Sequence, residues 1–226
     1  MNDKELVAFE AAQLVENDMI VGLGTGSTAN CFIEALSQRV REQGLQVTTA
    51  ASSTISAIKA KELGLATTGI DQLTRLDFYV DGADEVTPDM TLLKGQGSDL
   101  VREKLMAKAS DKFIVLVDQS KLVTRIGERF AIPIEVLPFA WQLVKQSLEA
   151  IGGQGDLRPN AKKDGLAVTS HGSLVLDMVF PKDIDSNNLN QLLNNTPGVV
   201  EHGIFCNLTS AVFLAEDGQV QQRWQS

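Results

Sequence analysis

Met19-Ile20-Val21-Gly22-Leu23-Gly24-Thr25-Gly26-Ser27-Thr28-Ala29 orders the reading of the whole chain. The apolar run at its start predicts a strand over residues 19–23. Glycines alternate with hydroxyl residues after it. Phe32, Ile33, Leu36 and Val40 then recur at helical spacing as far as about Gln43, where Gly44 is placed to end the helix. A strand that turns through glycine and serine into a helix leaves backbone N–H groups converging on one point, at the positive end of the helix dipole. Such a turn holds an anion, most often phosphate; otherwise it is a tight structural corner. Two nucleotide fingerprints fail here. Counted from Gly22, the last position of G-x-G-x-x-G falls on Ser27, and no acidic residue closes the next strand near Ala51. A P-loop needs a lysine in the turn, and this turn has none. Gly26-Ser27-Thr28 is sized for one phosphate.

Outward from this turn, strands alternate with helices. Residues 3–16 predict a helix with Leu6, Phe9, Gln13 and Leu14 near one face, widened by Ala11, Ala12 and Val15. Strands are expected at 47–51, at 65–68, at 77–80 and at 112–117, with helices ending near Leu63 and Ala109, the latter capped by Ser98. This alternation predicts an α/β fold with a doubly wound, mostly parallel, Rossmann-like sheet. Ligands on such sheets lie beyond the carboxyl ends of the strands. The glycine turn, Ser52–Thr54, Asp81–Asp84 and Asp118–Lys121 all fall at such ends.

The pattern changes near residue 127. An extended segment from Ile132 to Pro138, a helix near 139–150, strands at 166–169 and 174–180, and a helix capped by Asp183 or Asp185 predict a smaller α+β domain over 128–200. Residues 201–226 are expected to rejoin 1–127 in one α/β domain, which makes the small domain an insertion.

Composition narrows the function. The chain has 226 residues, 43% of them hydrophobic, and a net charge of −9. That balance argues against nucleic acid and anionic membrane as partners, but a local loop and a few lysines can still hold an anionic small molecule. Two cysteines form no disulfide framework and read as reduced thiols of a cytoplasmic protein. No apolar run approaches membrane-spanning length, and Met1-Asn2-Asp3-Lys4 leads straight into an amphipathic pattern without a signal peptide. His171 and His202 are isolated from any third ligand and suggest no metal centre. Cys31 reads as a small buried residue and not a nucleophile.

Asp81-Gly82-Ala83-Asp84-Glu85 spaces carboxylates at i, i+3 and i+4 after a strand. Metal ligation, a solvated turn, and acid–base work on a polyol all suit that spacing. Lys94 opens a second glycine-rich turn, and Glu103 follows in the first turns of a helix. A carboxylate partly withdrawn from water is the usual base for taking a proton α to a carbonyl, and a lysine ammonium can hold the enediolate oxygen. Base, cation, polyol-binding carboxylates and phosphate loop are together the parts of a sugar-phosphate aldose–ketose isomerase. The other class that fits is a non-catalytic sugar-phosphate sensor, which needs the loop but not Glu103.

The strings Val21–Ala29, Tyr79–Glu85, Lys94-Gly95-Gln96-Gly97, Arg102-Glu103-Lys104, Asp118-Gln119-Ser120-Lys121, Pro133-Ile134-Glu135-Val136 and Pro197-Gly198-Val199-Val200 resemble, in this order and over nearly the whole chain, the type A ribose-5-phosphate isomerases. The resemblance implies interconversion of D-ribose 5-phosphate and D-ribulose 5-phosphate in the pentose phosphate pathway, with no metal and no organic cofactor. It implies that Glu103 is the general base working through a cis-enediolate and that Lys94 stabilises the oxyanion. Asp81 and Asp84 would bind sugar hydroxyls and help to open the ring. Thr25, Gly26, Ser27 and Thr28 would cradle phosphate. Gly82, Ala83, Gly95, Gln96 and Gly97 would line the substrate, and Lys121 would add a positive group. Family members are commonly homodimers, sometimes tetramers, and by this likeness 1–127 with 201–226 form the catalytic domain and 128–200 lies at the subunit interface. The chain departs from the family pattern at Gln96, where a glycine is usual, at Ser98-Asp99, where small apolar residues are usual, and at His171-Gly172-Ser173, where Gly-Asn is common. If position 96 needs a positive φ, Gln96 is strained there, and Asp99 would bring an extra acid toward an anionic substrate.

Overall fold

The computed structural model of the chain describes residues 1–97, 99–216 and 218–225. The cap expected of Ser98, and Asp217 of the last polar turn, lie outside the described residues. In chain order the elements are α1 (Asp3–Gln13), β1 (Ile20–Leu23), α2 (Ser27–Gln43), β2 (Thr48–Ala51), α3 (Thr54–Glu62), β3 (Leu76–Gly82), β4 (Glu85–Val86), β5 (Leu92–Leu93), α4 (Leu100–Ala109) and β6 (Ser110–Asp118). They continue with β7 (Ile132–Val136), α5 (Trp141–Ala150), β8 (Gln154–Leu157), β9 (Leu174–Val179), α6 (Ser186–Asn194), β10 (Val199–His202), β11 (Ile204–Phe205), β12 (Ala211–Glu216) and β13 (Gln219–Trp224). They form two compact units. One holds residues 1–83, 102–121 and 208 onward; the other holds 84–101 and 122–207. The second is inserted in the first along the chain.

The first unit is built on a six-stranded sheet ordered β13-β12-β6-β3-β1-β2. All neighbours in it are parallel except the β12–β13 hairpin. The mostly parallel sheet expected from the alternating pattern is therefore present, and the chain's last segment rejoins it through β12, which pairs with β6 from Ala211↔Ile114 to Ala215↔Asp118. Val21, Leu23, Phe78, Val80, Ile114, Leu116 and Phe213 from the strands pack with Phe32, Ile33 and Leu36 of α2 in one core. Gly44 ends α2 in the left-handed conformation at φ 69°. The expected strand at 65–68 is reduced to a single parallel bridge, Thr49↔Thr67. Leu65 is instead buried in the core of this unit.

Helix α1 keeps part of the predicted face, Ala11 and Ala12, and turns Phe9 and Gln13 outward. Asn2 and Glu5 close a capping box, with Glu5 N–H donating to Asn2 Oδ1 at 3.0 Å and Asn2 N–H to Glu5 Oε2 at 2.8 Å. The buried side chains are Val7, Ala8, Ala11 and Ala12, with Val15 just beyond the helix, whereas Phe9 is 42% exposed. Helix axes approach closest where side chains are small, so the alanine stripe wins the contact over the larger residues.

In the second unit, β10-β7-β9-β8 form an antiparallel sheet and β11-β5-β4 a small three-stranded one. Ile134, Val136, Leu176 and Met178 from the larger sheet pack with Val144 and Leu148 of α5 and with Leu189 and Leu193 of α6. Asp185 caps α6, accepting from the N–H groups of Asn187 and Asn188. The strand expected at 166–169 is present only as isolated bridges, Pro159↔Leu166 and Val168↔Leu174. The polar strand β8, whose residues are largely exposed, has no apolar alternation to announce it.

Candidate active site

The parallel register of the first unit sets the carboxyl ends of β2, β1, β3 and β6 side by side: Leu23 pairs with Ala51 and Val80, and Gly82 with Leu116. The glycine turn leaves β1 there. Gly24 N–H donates to Val80 carbonyl at 2.8 Å, which ties the start of the turn to β3. Gly26 takes φ 107° as the N-cap of α2 and carries no side chain to cap the helix. The first helical bond runs from Asn30 N–H to Gly26 carbonyl. By helix geometry the N–H groups of Ser27, Thr28 and Ala29 therefore have no acceptor within α2, and they stand with the positive end of a 17-residue helix behind them. Lys4 of α1 donates from Nζ to Ser27 Oγ at 2.8 Å, so a cation already stands at this helix start.

Thr25 faces the other way. Its Oγ1 donates to Ser53 Oγ at 2.7 Å and lies 2.8 Å from Ser52 Oγ, while Ser56 Oγ donates to Gly24 carbonyl at 2.8 Å. The second hydroxyl cluster thus fastens the turn from the β2–α3 junction, with Ser52, Ser53 and Ser56 all buried.

Asp81, at the end of β3, is wholly buried, and its carboxylate is held from three sides. Tyr79 Oη donates to Oδ2 at 2.6 Å, and the N–H groups of Thr25 and Gly82 donate to Oδ1 at 3.1 and 2.8 Å. One carboxylate therefore fastens the glycine turn to β3. Gly24 permits this: a Cβ there would fall on the carboxylate itself and lie 2.6 Å from Asp81 Cβ. Tyr79 stacks on Phe113, ring centroids 4.8 Å apart. Burial first, then the negative charge of Asp81, holds its phenol well above the usual value; the charge of Glu103 adds to this. The native phenol keeps its proton at a pH where the unfolded one, near the reference value of about 10, has lost it. The native state then binds more protons, so stability falls as pH rises past about 10. Tyr79 is the chain's one tyrosine. In an alkaline titration, the tyrosinate ultraviolet band is therefore expected to appear only together with unfolding, and Tyr79→Phe to flatten the alkaline decline in Tm. A band that grows while the fold is intact would contradict this.

Glu103 lies in the first turn of α4 and is 6% exposed. Lys121 is half-buried in the single 3₁₀ turn Gln119–Lys121 that follows β6. Gly82 and Ala83 are half-buried where β3 ends. Cys31 donates from Sγ to Ser27 carbonyl at 3.3 Å. Burial first, then Glu34, raises its thiol above the usual range, which suits a packed thiol and not a nucleophile.

The second unit carries Asp84, Lys94, Gly95, Gln96 and Gly97. Asp84 is half-buried, and its N–H donates to Leu93 carbonyl at 2.8 Å. Glu85 is engaged elsewhere in the same unit. Its buried carboxylate accepts from the N–H groups of Gly127, Arg129 and Phe130 at 2.6, 2.6 and 2.9 Å, and so organises the turn before β7. Lys94 is buried; its N–H donates to Gly203 carbonyl at 2.9 Å and its Nζ stands 5.8 Å from the centre of the Phe205 ring. In the turn that follows, the positive φ falls on Gly95, at 97°. Gln96 is exposed and is not among the residues of positive φ, so the side chain in place of the usual glycine sits without backbone strain. Asp99 accepts from Ser170 Oγ at 2.6 Å, which engages the extra acid within its own unit. His202 is buried, its Nδ1 accepting from Ile204 N–H at 3.3 Å and its Nε2 lying 3.2 Å from Asn194 Oδ1. Among the described residues no group of three or more His, Cys, Asp or Glu side chains is placed to hold a metal ion.

Sequence reasoning missed Lys4, whose pairing with Ser27 spans 23 positions, and the separate duty of Glu85. For Lys4 the available signal was its place at the start of the first helix. For Glu85 there was none.

A family model described as ribose 5-phosphate isomerase A (phosphoriboisomerase A) matches residues 48–219. The chain is 42% identical over 223 residues to the ribose-5-phosphate isomerase A of Thermosynechococcus vestitus, covering 97% of this chain and 94% of the relative. It is 41% identical over 212 residues to that of Thermococcus kodakarensis, covering 93% of each. Among solved structures, ribose 5-phosphate isomerase A from Methanocaldococcus jannaschii aligns with TM-score 0.93 at 37% identity, covering 98% of each chain. A D-ribose-5-phosphate isomerase in complex with phospho-erythronic acid aligns with TM-score 0.94 at 34% identity, covering the whole of both. With likeness of this breadth in both sequence and backbone, the chain belongs to the ribose 5-phosphate isomerase A family.

Proposed function

We propose that this chain is an aldose–ketose isomerase that interconverts D-ribose 5-phosphate and D-ribulose 5-phosphate, in the non-oxidative pentose phosphate pathway. The observation that carries the reading is 42% identity, along 97% of the chain, to an enzyme named for that activity. No relative named above supports the sensor alternative. The test is ketose formation from ribose 5-phosphate by the purified protein; no turnover at all would overturn the assignment. We place the activity in the cytoplasm and assign it neither metal nor organic cofactor. No helix among the described residues is long and apolar enough to cross a membrane.

In the reaction we assign, Glu103 takes the proton from C2 of the open-chain aldehyde. The electron pair released forms the C1–C2 double bond, and the carbonyl oxygen becomes the enediolate oxyanion. The same carboxyl group returns the proton to C1 while the hydroxyl proton passes from O2 to O1, leaving the ketone at C2. The burial of Glu103 and the charge it exerts on Tyr79 support a carboxylate held in a low-dielectric setting. Lys94 is assigned to the oxyanion, Asp84 to the sugar hydroxyls, and the backbone of Gly82, Ala83 and Gly95–Gly97 to lining the substrate. For Asp81 the hydrogen bonds it already makes favour orientation of the glycine turn ahead of direct contact with the ring-opening hydroxyl. Gly26, Ser27 and Thr28, with Thr25 as their anchor, take the phosphate; Lys4 and Lys121 supply positive charge against a protein of net charge −9. Lys4→Met removes one charge-assisted bond, worth about 1.5–3 kcal/mol. It is expected to raise KM for ribose 5-phosphate roughly 10- to 100-fold with a smaller change in kcat. An unchanged KM would remove Lys4 from the phosphate site.

We also propose that the protein is a homodimer joined through residues 128–200. Phe139 and Leu143, which are 86% and 70% exposed, stand on that part of the second unit within a stretch that also exposes Leu137. Large apolar side chains grouped on a surface mark interfaces. Sedimentation of a monomer at micromolar concentration would overturn this.

A further inference from the structure

Arg158 follows β8 and does two things at once. Its Nε and one terminal nitrogen donate to the two carboxylate oxygens of Asp177, on the neighbouring strand β9, at 2.8 and 2.6 Å. The other terminal nitrogen, Nη1, donates to the carbonyl oxygens of Gly95, Gln96 and Gly97 at 3.0, 3.2 and 3.1 Å. Three successive carbonyls of one turn therefore converge on a single guanidinium group. Their dipoles would repel one another without a positive charge at the point of convergence. The planar fork matches a carboxylate on one edge and leaves the other edge free for the turn, which an ammonium group could not do in one geometry. The Arg158 side chain is only 14% exposed, so the charge acts with little screening by water. The opposite end of the same turn is fixed independently, by Lys94 N–H on Gly203 carbonyl.

We propose that Arg158, aligned by Asp177, is a positioning residue for Lys94. By holding the carbonyls of Gly95, Gln96 and Gly97 it sets the path of the turn that begins at Lys94, and so the place of the Lys94 ammonium. The positive φ of Gly95 fits a backbone bent to present successive carbonyls inward. The inference rests on the oxyanion role assigned to Lys94.

The test is a double-mutant cycle on the full-length enzyme with Arg158→Lys and Lys94→Ala, read as kcat and KM separately. Arg158→Lys keeps the positive charge and removes the fork, which limits the risk of misfolding; circular dichroism and Tm check that the fold survives. A misplacement on the order of an ångström is expected to lower kcat roughly 10- to 100-fold, with KM changed much less. In the double variant the losses are expected not to multiply, because Arg158 acts through Lys94. Hydrogen exchange at residues 95–97 is expected to quicken in Arg158→Lys. Wild-type kcat in Arg158→Lys, beside an impaired Lys94→Ala, would overturn the positioning role alone. So would fully multiplicative losses, or unchanged exchange at the turn. Wild-type kcat in Lys94→Ala would overturn the role of Lys94 and the inference with it.

Discussion

Glu103→Gln is expected to lower kcat by about 10²–10⁴-fold, the range that a positioned general base contributes, while KM for ribose 5-phosphate stays within a few-fold of wild type. Glutamine fills nearly the same space but cannot accept the C2 proton. The position is buried and lies in the first turn of α4, where the helix dipole favours a negative charge by about 0.3–1 kcal/mol. Losing that charge therefore changes Tm little. The decisive readout is exchange of the C2 proton of the bound sugar with deuterium from solvent, which should disappear together with turnover. Retained exchange in Glu103→Gln would assign the base elsewhere. Glu103→Asp separates chemistry from packing: a shorter carboxylate keeps a base in the wrong place, so partial activity is expected.

Gly24→Ala is expected to damage both stability and substrate binding, although it adds one methyl group. The new Cβ would occupy the space of the Asp81 carboxylate. That carboxylate cannot turn aside without giving up the Tyr79 hydroxyl and the N–H groups of Thr25 and Gly82. Overpacking at such a site costs about 1–3 kcal/mol, a fall in Tm of roughly 2–12 °C for a chain of this size. The displacement falls on the turn that leads to Gly26, Ser27 and Thr28, so KM should rise more than Tm alone would suggest. A variant with wild-type Tm and KM would mean that Asp81 does not fasten the turn.

Much of the local geometry around these residues was legible in sequence because it is set by near neighbours in the chain. A strand, two glycines and a helix start within ten residues decide where N–H groups point, whatever packs around them. The parallel sheet followed from the alternation of such units, and the burial of Phe32, Ile33 and Leu36 from their spacing. In helix α1 the expected Ala11 and Ala12 are buried but Phe9 and Gln13 are exposed, because periodicity ranks large side chains while close approach of two helices selects small ones. Residues 65–68 looked like a strand and make one bridge. Gln96 looked strained, yet the turn puts its positive φ on Gly95.

What the sequence alone determined is the chemistry available: a phosphate-sized glycine turn after β1, a carboxylate at the start of α4, and a lysine opening a second glycine turn. What only the tertiary structure decided is which charge answers which. Asp81 and Glu85, four residues apart in one acidic string, serve different ends. Asp81 takes Tyr79 and the glycine turn, and Glu85 the backbone of residues 127–130. Lys4 meets Ser27 across 23 positions, and Arg158 meets the Lys94 turn across some sixty. The reason is physical. Backbone geometry is set by neighbours in the chain, whereas a buried charge takes the partner that packing brings to it, and chain distance has no part in that choice.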